Sequence, residues 1–259
     1  MLKTIKELWN YRAMIESLVK RELRGKYAAS FLGFLWTFMN PLLQLVVYTI
    51  VFSVLFHNNI DRYYLYLFIG LVPWMYFSAV FTEGANCVVN QSNLVKRIQF
   101  PRMVLPISFS TSRFINMLLV FIVIFLVIIV TGWGINPIAL LFLPIVFAVE
   151  YLLVTGIAML VSCLTVYFRD LAYILGVIST LWMYATPLFY SPNIIPEAYR
   201  GYYNLNPMVS IITAFRDILY YKRIPALETL TLAIVLGLLI LIIGTLLFNF
   251  LNRRFAEEL

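Results

Sequence analysis

Few side chains in this sequence have the types and spacing that catalysis requires. The one histidine, His57, ends an apolar run, and Cys87 and Cys163 lie far apart with no Cys-x-x-Cys pair or Cys/His cluster. Zinc sites and disulfide frameworks need such clusters. Asp61 and Arg62 adjoin in a short polar stretch, where an isolated acid–base pair is more typical of a capped turn than of an active site. We therefore expect no catalytic residues, no metal-binding residues and no cofactor on this chain.

One carboxylate lies deep in an apolar stretch. Glu150 would lie about 18 Å along a helix that begins near residue 138, close to the middle of a bilayer. An ionised carboxylate there costs at least ~2.5 kcal/mol, so we expect Glu150 to be protonated, paired or turned toward a polar cavity. Proton coupling would need a second titrating partner. A structural or pathway-lining polar contact is therefore the favoured interpretation, and proton coupling is the alternative.

The amino-acid composition indicates the class of protein to which this chain belongs. Of the 259 residues, 63% are hydrophobic and 12% are charged, whereas soluble domains have about 45–50% apolar and about 25% charged residues. This excludes an ordinary soluble enzyme and a disordered scaffold. The net charge of +7 comes from short basic clusters between apolar stretches, a pattern typical of loops that meet anionic lipid. We expect membrane lipid, and no nucleic acid, as a partner.

Uncharged stretches divide the chain into six predicted transmembrane helices. A helix needs about 20 apolar residues to cross a hydrocarbon core of about 30 Å. The stretch 114–149 is too long for one crossing, and the turn signal at 132–137 divides it. Continuous apolar runs also argue against the alternating pattern of a membrane barrel. The predicted fold is an all-α membrane protein, a single transmembrane domain over 1–259, with spans at about 31–56, 63–82, 114–131, 138–164, 171–190 and 229–251.

The basic residues orient these spans. Fourteen of the nineteen Lys and Arg residues fall on one side, and the other side has five: Arg62, Arg200, Arg216, Lys222 and Arg223. The positive-inside rule then places both termini in the cytoplasm of a multi-pass protein of the cytoplasmic (inner) membrane. The N-terminal stretch lacks an apolar core of the kind a cleavable signal has, so we expect none.

Two segments on the predicted cytoplasmic side are longer than is needed to connect one span to the next. Residues 1–30 have apolar side chains at helical spacing and predict an amphipathic helix in the membrane interface, either a plain anchor or an anchor that also contacts a partner. Residues 83–113 form a predicted loop far longer than the usual 2–8 residues. It is either a surface offered to a cytoplasmic partner or a solvated basic loop at the lipid surface.

The predicted external segment 191–228 is rich in proline and tyrosine. Residues 207–221 have an amphipathic pattern, and tyrosine-rich amphipathic segments are typical of the membrane interface. Such a segment can dip back into the bilayer only where protein shields its helix ends. We expect short helices here that act either as a gate at the external exit or as a rigid interfacial belt. Span six and the cytoplasmic tail follow over 229–259.

The sequence encodes no energy source of its own. It has no G-x-x-x-x-G-K-[ST] run to cradle a phosphate. The plainest interpretation is a transport subunit and not an enzyme. A separate protein that docks on the cytoplasmic side would supply the energy, and the loop 83–113 would be its contact.

Four motifs, in order along nearly the whole chain, resemble the membrane subunits of bacterial ABC transporters that export polysaccharides such as O-antigen, capsule or teichoic acid. They are Arg21–Tyr27 with Asn40-Pro41 near the first span, Asn93–Arg97 with Phe100–Arg102, Tyr167–Leu171, and Thr186–Ser191 with Asn206-Pro207. Each motif alone is weak, but the four together are specific to the family.

The resemblance implies partners and a mechanism. Two copies of this chain and two copies of an ATPase subunit, which binds ATP and Mg, would form an exporter for a lipid-linked glycan. The N-terminal helix and the loop between spans two and three would contact the ATPase, with coupling residues Asn93, Leu94, Lys96, Arg97, Phe100, Pro101 and Arg102. The segment after span five would form the external gate, with Pro196, Tyr199, Tyr203, Asn206 and Pro207.

Aromatic rings can contact the C–H faces of sugars without demanding one sequence of sugars, and a dimer can place a channel between its two chains. The candidates that would line such a channel are Trp36, Tyr48, Tyr66, Trp74, Tyr76, Trp182, Tyr184 and Tyr190, together with Glu150.

Three rival functions stay open at this point, and one of them is a non-transporting assembly factor. An ABC permease that exports drugs or small lipids would share the fold with a different cargo. A membrane-embedded enzyme acting on lipid-linked sugars would need paired carboxylates or a metal cluster at one interface, and the sequence shows neither.

Overall fold

Helices make up the regular structure of residues 7–25, 32–55 and 60–259, which are the residues that the computed structural model of this protein describes. No strand occurs within these ranges, in agreement with the predicted all-α fold. The main helices, in chain order, are α1 Arg12–Gly25, α2 Trp36–Thr49, α3 Tyr63–Thr82, α4 Ser92–Arg97, α5 Val104–Val130, α6 Leu143–Tyr167, α7 Leu171–Tyr184, α8 Glu197–Asn204, α9 Pro207–Leu219 and α10 Leu227–Leu251.

Five helical stretches are long and apolar enough to cross a membrane. They are Gly33–Phe52, Tyr63–Asn86, Val104–Val130, Pro137–Tyr167 and Leu227–Arg254. The predicted span 171–190 is a helix only over the 14 residues of α7, about 21 Å at about 1.5 Å per residue. That is shorter than a hydrocarbon core of about 30 Å. Six crossings therefore remain a prediction.

The structure corrects the boundary of the predicted loop 83–113. Helix α5 begins at Val104, earlier than the predicted start at 114, and the connection before it contains the short helix α4. The charge of Arg113 interrupted the apolar run in the sequence. In the structure an ion pair of 2.6 Å with Glu83 accommodates this charge, and the guanidinium lies 4.7 Å from the centre of the Phe109 ring. A basic residue therefore fits inside the helix.

Helix α1 has the predicted amphipathic character. Leu18 and Val19 are buried, while Trp9, just before the helix, is 68% exposed. The buried face packs against α5. Three parts of the predictions lie outside the described residues: both ends of the predicted 1–30 helix (1–6 and 26–30), the start and end of the predicted first span (31 and 56), and His57.

Helix α3 is the centre of the bundle. It agrees with the predicted span 63–82, and the side chains of Leu65, Phe68 and Phe77 have no exposed surface. Helices α2, α5, α6, α7 and α9 all pack against it. A helix that is apolar on all sides is expected at such a buried position.

Helices α6 and α10 form the closest pair. A Cβ atom at Gly156 of α6 would lie 2.6 Å from the Cα of Leu241 in α10. One at Gly237 of α10 would lie 3.4 Å from the carbonyl oxygen of Val149. Small residues let helix backbones approach closely in membranes, where van der Waals contact drives packing. The glycines therefore set the distance between these two helices.

Candidate functional site

The bundle has two structurally different ends. At one end, which we call the terminal end, α1, α4 and the C-terminal residues lie together. At the opposite end, the far end, the loop before α3 meets the loops after α5 and α9. Arg62 donates to the Thr131 carbonyl at 2.9 Å, Trp133 to the Tyr220 carbonyl at 3.1 Å and Asn136 to the Lys222 carbonyl at 2.9 Å. These bonds join the far-end loops into one surface.

Helix α7 ends at the exposed Tyr184 near the far end, and the chain then turns back into the bundle. Pro187 lacks an N–H group and cannot continue a helix. The residues Thr186–Phe189 are all buried. Non-helical backbone at membrane depth is tolerated only where protein or water satisfies its polar groups. We call the stretch Ala185–Tyr190 the unwound segment. The carbonyls of its buried part therefore need donors from elsewhere in the fold.

Arg216 of α9 supplies these donors. Its guanidinium donates through Nη1 to the Pro187 carbonyl and through Nη2 to the Leu188 carbonyl at 2.8 Å. It also donates to the Tyr66 hydroxyl at 2.8 Å and to the Tyr66 carbonyl at 3.2 Å. Arg216 is only 2% exposed. The forked, planar group thus bonds α3 and the unwound segment at once, which a lysine could not do.

Two tyrosines of α3 hold the unwound segment from the same side. The Tyr63 hydroxyl donates to the Phe189 carbonyl at 3.0 Å, and the Tyr66 hydroxyl donates to the Tyr190 carbonyl at 2.9 Å. The Phe189 ring stacks on Phe52 with 4.3 Å between centroids. Four consecutive carbonyls, from Pro187 to Tyr190, therefore receive hydrogen bonds from side chains of α3 and α9.

Asn206 fastens the start of α9 to the end of α7. Its Oδ1 accepts from the Met208 amide at 3.0 Å and from the Trp182 indole at 2.9 Å. Its Nδ2 donates to the Thr186 hydroxyl at 2.9 Å. An Asn at the N-cap satisfies backbone donors that a helix start leaves free. Here the same side chain also sets the distance between α7 and α9.

Helix α9 lies inside the bundle, not on its surface. Every residue from Pro207 to Leu219 except Thr213 is buried, and the helix packs against α3, α6 and α10. Asp217 is buried next to Arg216, and its partner is Arg223, with 2.7 Å between Oδ1 and Nη2. Burial raises the pKa of Asp217 above its usual value, and the hydrogen bond and charge of Arg223 partly offset this.

The predicted gate residues divide between the two short helices. Pro196 and Tyr199 lie at the exposed surface of α8, Tyr203 and Asn206 are half-buried, and Pro207 is buried at the start of α9. The structure thus has short helices where the sequence predicted them. Their role as a gate stays a prediction.

The predicted coupling residues gather at the terminal end. Asn93, Lys96 and Arg97 are exposed on α4, Leu94, Phe100 and Pro101 are half-buried, and Arg102 donates to the Asn252 carbonyl just after α10. The Arg102 guanidinium also lies 5.8 Å from the centre of the Phe255 ring. The predicted coupling segment is therefore attached to the C-terminal end of the bundle, while its basic tip faces outward.

A cleft of about 590 Å³ runs between this segment and α10. Its charged lining residues are Glu7, Lys96, Arg97, Arg102 and Arg253, an excess of positive charge. A surface of this kind attracts acidic protein surfaces and steers their approach.

The predicted channel-lining residues do not form one surface in the single chain. Tyr66, Trp74 and Tyr76 are buried within the bundle, Trp36, Tyr48, Trp182 and Tyr190 are half-buried, and Tyr184 is 58% exposed. Trp182 packs edge-on against Phe77, with 5.0 Å between centroids. Lining of a channel by these residues stays a prediction.

Glu150 is fully buried, and neither of its carboxylate oxygens has a hydrogen-bond partner within the described part of the chain. Of the three predicted situations, a paired carboxylate is therefore not observed among these residues. Hydroxyl groups are bonded to one another nearby: Tyr76 bonds Ser110 at 2.9 Å, and Ser110 bonds Thr155 at 3.0 Å.

Sequence reasoning missed Arg216, which was assigned to an external segment. The available signal was its position between Phe215 and Ile218 in an apolar helix, where a lone arginine needs several acceptors. The partners, at sequence separations of 28, 29 and 150, could not be read from the local pattern. Among the described residues no group of three or more His, Cys, Asp or Glu could hold a metal ion.

Comparison with known proteins links this architecture to a family. The sequence profile of a family described as "ABC-2 type transporter" matches residues 14–220. An O-antigen export system permease protein from Myxococcus xanthus is 33% identical, with 100% of both chains covered. A protein of the same description from Klebsiella pneumoniae is 29% identical, covering 99% of this chain and 100% of the relative. A polysialic acid transport protein from Escherichia coli is 21% identical, over 80% of this chain and 81% of the relative.

Proposed function

We propose, since the chain belongs to the ABC-2 type transporter family, that it is the transmembrane subunit of an ABC transporter that exports a lipid-linked polysaccharide of the O-antigen, capsule or teichoic-acid type. The observation that carries this proposal is the similarity to O-antigen export permeases over the whole length of the chain. The apolar helices and the family make it a multi-pass membrane protein. We place it in the cytoplasmic membrane with both termini in the cytoplasm.

A separate ATPase subunit supplies the energy in this proposal and carries ATP and Mg. The exposed residues Asn93, Lys96 and Arg97 form the contact, because α4 is the exposed tip of a segment that Arg102 ties to the end of α10. Closure of two ATPase subunits would push on α4. The bond from Arg102 and the packing of α1 on α5 would carry this movement into the long helices.

A second copy of the chain completes the path. Five helices pack against α3, whereas six of the fourteen residues of α2 and eight of the fourteen residues of α7 are exposed. A two-fold interface along these helices would enclose a channel between two chains. At its outer end, the unwound segment, α8 and α9 would act as the gate.

Reconstitution tests the function directly. Vesicles that contain this chain together with its ATPase should translocate a radiolabelled lipid-linked glycan when ATP is added. Vesicles with the chain alone should not, and this is the matched control. Glycan transport without the ATPase would contradict the proposal, as would ATP-driven efflux of hydrophobic drugs with no movement of glycan.

A further inference from the structure

A polar cleft lies on the side of the bundle, in the half nearest the terminal end. It has a volume of about 380 Å³ and lies between the first turns of α2, the second half of α3 and the middle of α5. This volume falls in the range of about 300–1,000 Å³ found for ligand sites. Polar side chains inside membrane-spanning helices are rare and usually mark a pathway or a site.

Three polar side-chain atoms of residues that line the cleft are buried just beneath its surface and have no partner within the described residues. Thr37 is 5% exposed, and its hydroxyl has no hydrogen-bond partner within the described residues. The same holds for the carbonyl oxygen of the Asn116 side chain and for Nε of Arg113. Buried polar atoms without partners cost free energy. A small shift of the cleft walls would bring these atoms within reach of a ligand, and the bonds gained would favour that shift.

The two walls of the cleft carry complementary groups. Asn40 and Gln44 lie one turn apart on the exposed side of α2, so their amides point to the same side. Asn116 lies across from them on α5, and Trp36 and Tyr76 add aromatic rings. Amides both donate and accept hydrogen bonds, as sugar hydroxyls do, and aromatic faces contact the C–H face of a sugar ring.

The charge of the cleft restricts the ligand further. Glu83 and Arg113 are the two charged residues in its lining, and they pair with each other at 2.6 Å. Their charges cancel, so nothing in the lining favours a phosphate or a carboxylate. The ligand that fits is uncharged and rich in hydroxyl groups.

We infer that this cleft, lined by Thr37, Asn40, Gln44 and Asn116, binds an uncharged sugar unit of the exported polysaccharide in the half of the membrane nearest the ATPase. This inference rests on the proposed function and adds the position and chemistry of one contact with the substrate. The sugar hydroxyls bond the amides of Asn40, Gln44 and Asn116, and one face of the ring lies toward Trp36.

Photolabelling tests the inference on the purified complex of this chain with its ATPase, in lipid nanodiscs. The probe is p-azidophenyl β-D-glucoside, and p-azidophenylphosphocholine is the matched charged probe. The glucoside should label peptides of α2, α3 or α5 at the cleft, and an excess of methyl β-D-glucoside should prevent the labelling. The phosphocholine probe should not label these peptides.

Two leucine variants remove single contacts. Gln44→Leu is placed on an exposed part of α2, where an apolar side chain cannot harm folding, and Asn116→Leu removes the opposite wall. Each should weaken glucoside labelling about tenfold, the equivalent of one good hydrogen bond of about 1.4 kcal/mol. Thr231→Leu, on the exposed side of α10 outside the cleft, is the control and should leave labelling unchanged.

The outcomes separate this inference from the proposed function. No cleft labelling by the glucoside in a complex that still exports polysaccharide would overturn the inference alone. Equal labelling by the phosphocholine probe would also overturn it, because the cleft would then accept lipid headgroups. Specific labelling in a complex that exports no polysaccharide would support a sugar site and count against the proposed function.

Discussion

The guanidinium carbon of Arg216 lies 3.6 Å from the centre of the Tyr66 ring. The same guanidinium donates to the Tyr66 hydroxyl and to two carbonyls of the unwound segment. A buried cation with no carboxylate against it is costly unless several acceptors surround it. The tyrosine ring and the carbonyl groups supply these acceptors. Arg216 therefore satisfies the carbonyls of the unwound segment, and these carbonyls in turn stabilise its buried charge.

Arg216→Met should therefore destabilise the protein strongly. The substitution leaves the carbonyls of Pro187 and Leu188 without donors, at about 1–3 kcal/mol for each. We expect a loss of roughly 3 kcal/mol in the free energy of unfolding, measured by denaturant titration in mixed micelles and followed by circular dichroism. Arg216→Lys should recover only part of it, because an ammonium cannot span the same acceptors.

Arg200→Met is the matched control for this prediction. Arg200 is exposed on α8 and pairs with Glu197 at 3.5 Å. Substitutions at such surface positions usually change stability by about 0.5 kcal/mol or less. Equal effects of the two arginine variants would mean that the bonds of Arg216 do not stabilise the fold.

Asn206→Ala should loosen the contact between α7 and α9. It removes the N-cap of α9 and the bonds to Trp182 and Thr186. Loss of an N-cap alone costs about 1 kcal/mol, and the indole left without an acceptor adds about 1–3 kcal/mol. The fluorescence of Trp182 should shift to the red as water reaches it, measured against a variant that lacks this tryptophan. Asn204→Ala, on an exposed asparagine two residues earlier, should change neither stability nor fluorescence.

Gly156→Ala should separate α6 from α10. The added Cβ would lie 2.6 Å from the Cα of Leu241, so one backbone must move. Overpacking of this kind typically costs about 1–3 kcal/mol. Gly176→Ala in α7 is the control, because nothing lies within 4 Å of its Cβ position and alanine favours a helix by up to about 1 kcal/mol. Thermal unfolding midpoints should fall for the first variant and stay level or rise for the second.

Reversal of two charges on α4 should uncouple the transporter. In Lys96→Glu/Arg97→Glu, like charges would meet at the proposed ATPase contact, which costs several kcal/mol. ATP-dependent export should fall at least about tenfold, the equivalent of about 1.4 kcal/mol, with ATPase activity no longer stimulated by substrate. Glu228→Lys, a charge reversal at an exposed position at the start of α10, should leave coupling intact. Normal export by the α4 variant would place the contact elsewhere.

The sequence predicts the long helices well where charge alone decides their ends. The uncharged run 63–82 coincides with α3, because the whole helix is buried and apolar. The start of α5 was missed because the Arg113–Glu83 ion pair allows a charge within the helix. The early end of α7 follows from Pro187. The conformation of the chain after Pro187 depends on its hydrogen bond from Arg216, which lies 29 residues further along the sequence. No local sequence pattern predicts a hydrogen bond between residues so far apart in the chain.

The four bonded carbonyls of the unwound segment limit how the outer end can widen. If this segment moved away from α3 and α9, its carbonyls would lose their donors at a depth where lipid offers none. A displacement that carries all three parts together keeps every bond. An outward movement at this end therefore has to carry the unwound segment together with the parts of α3 and α9 that bond it, and not the segment by itself.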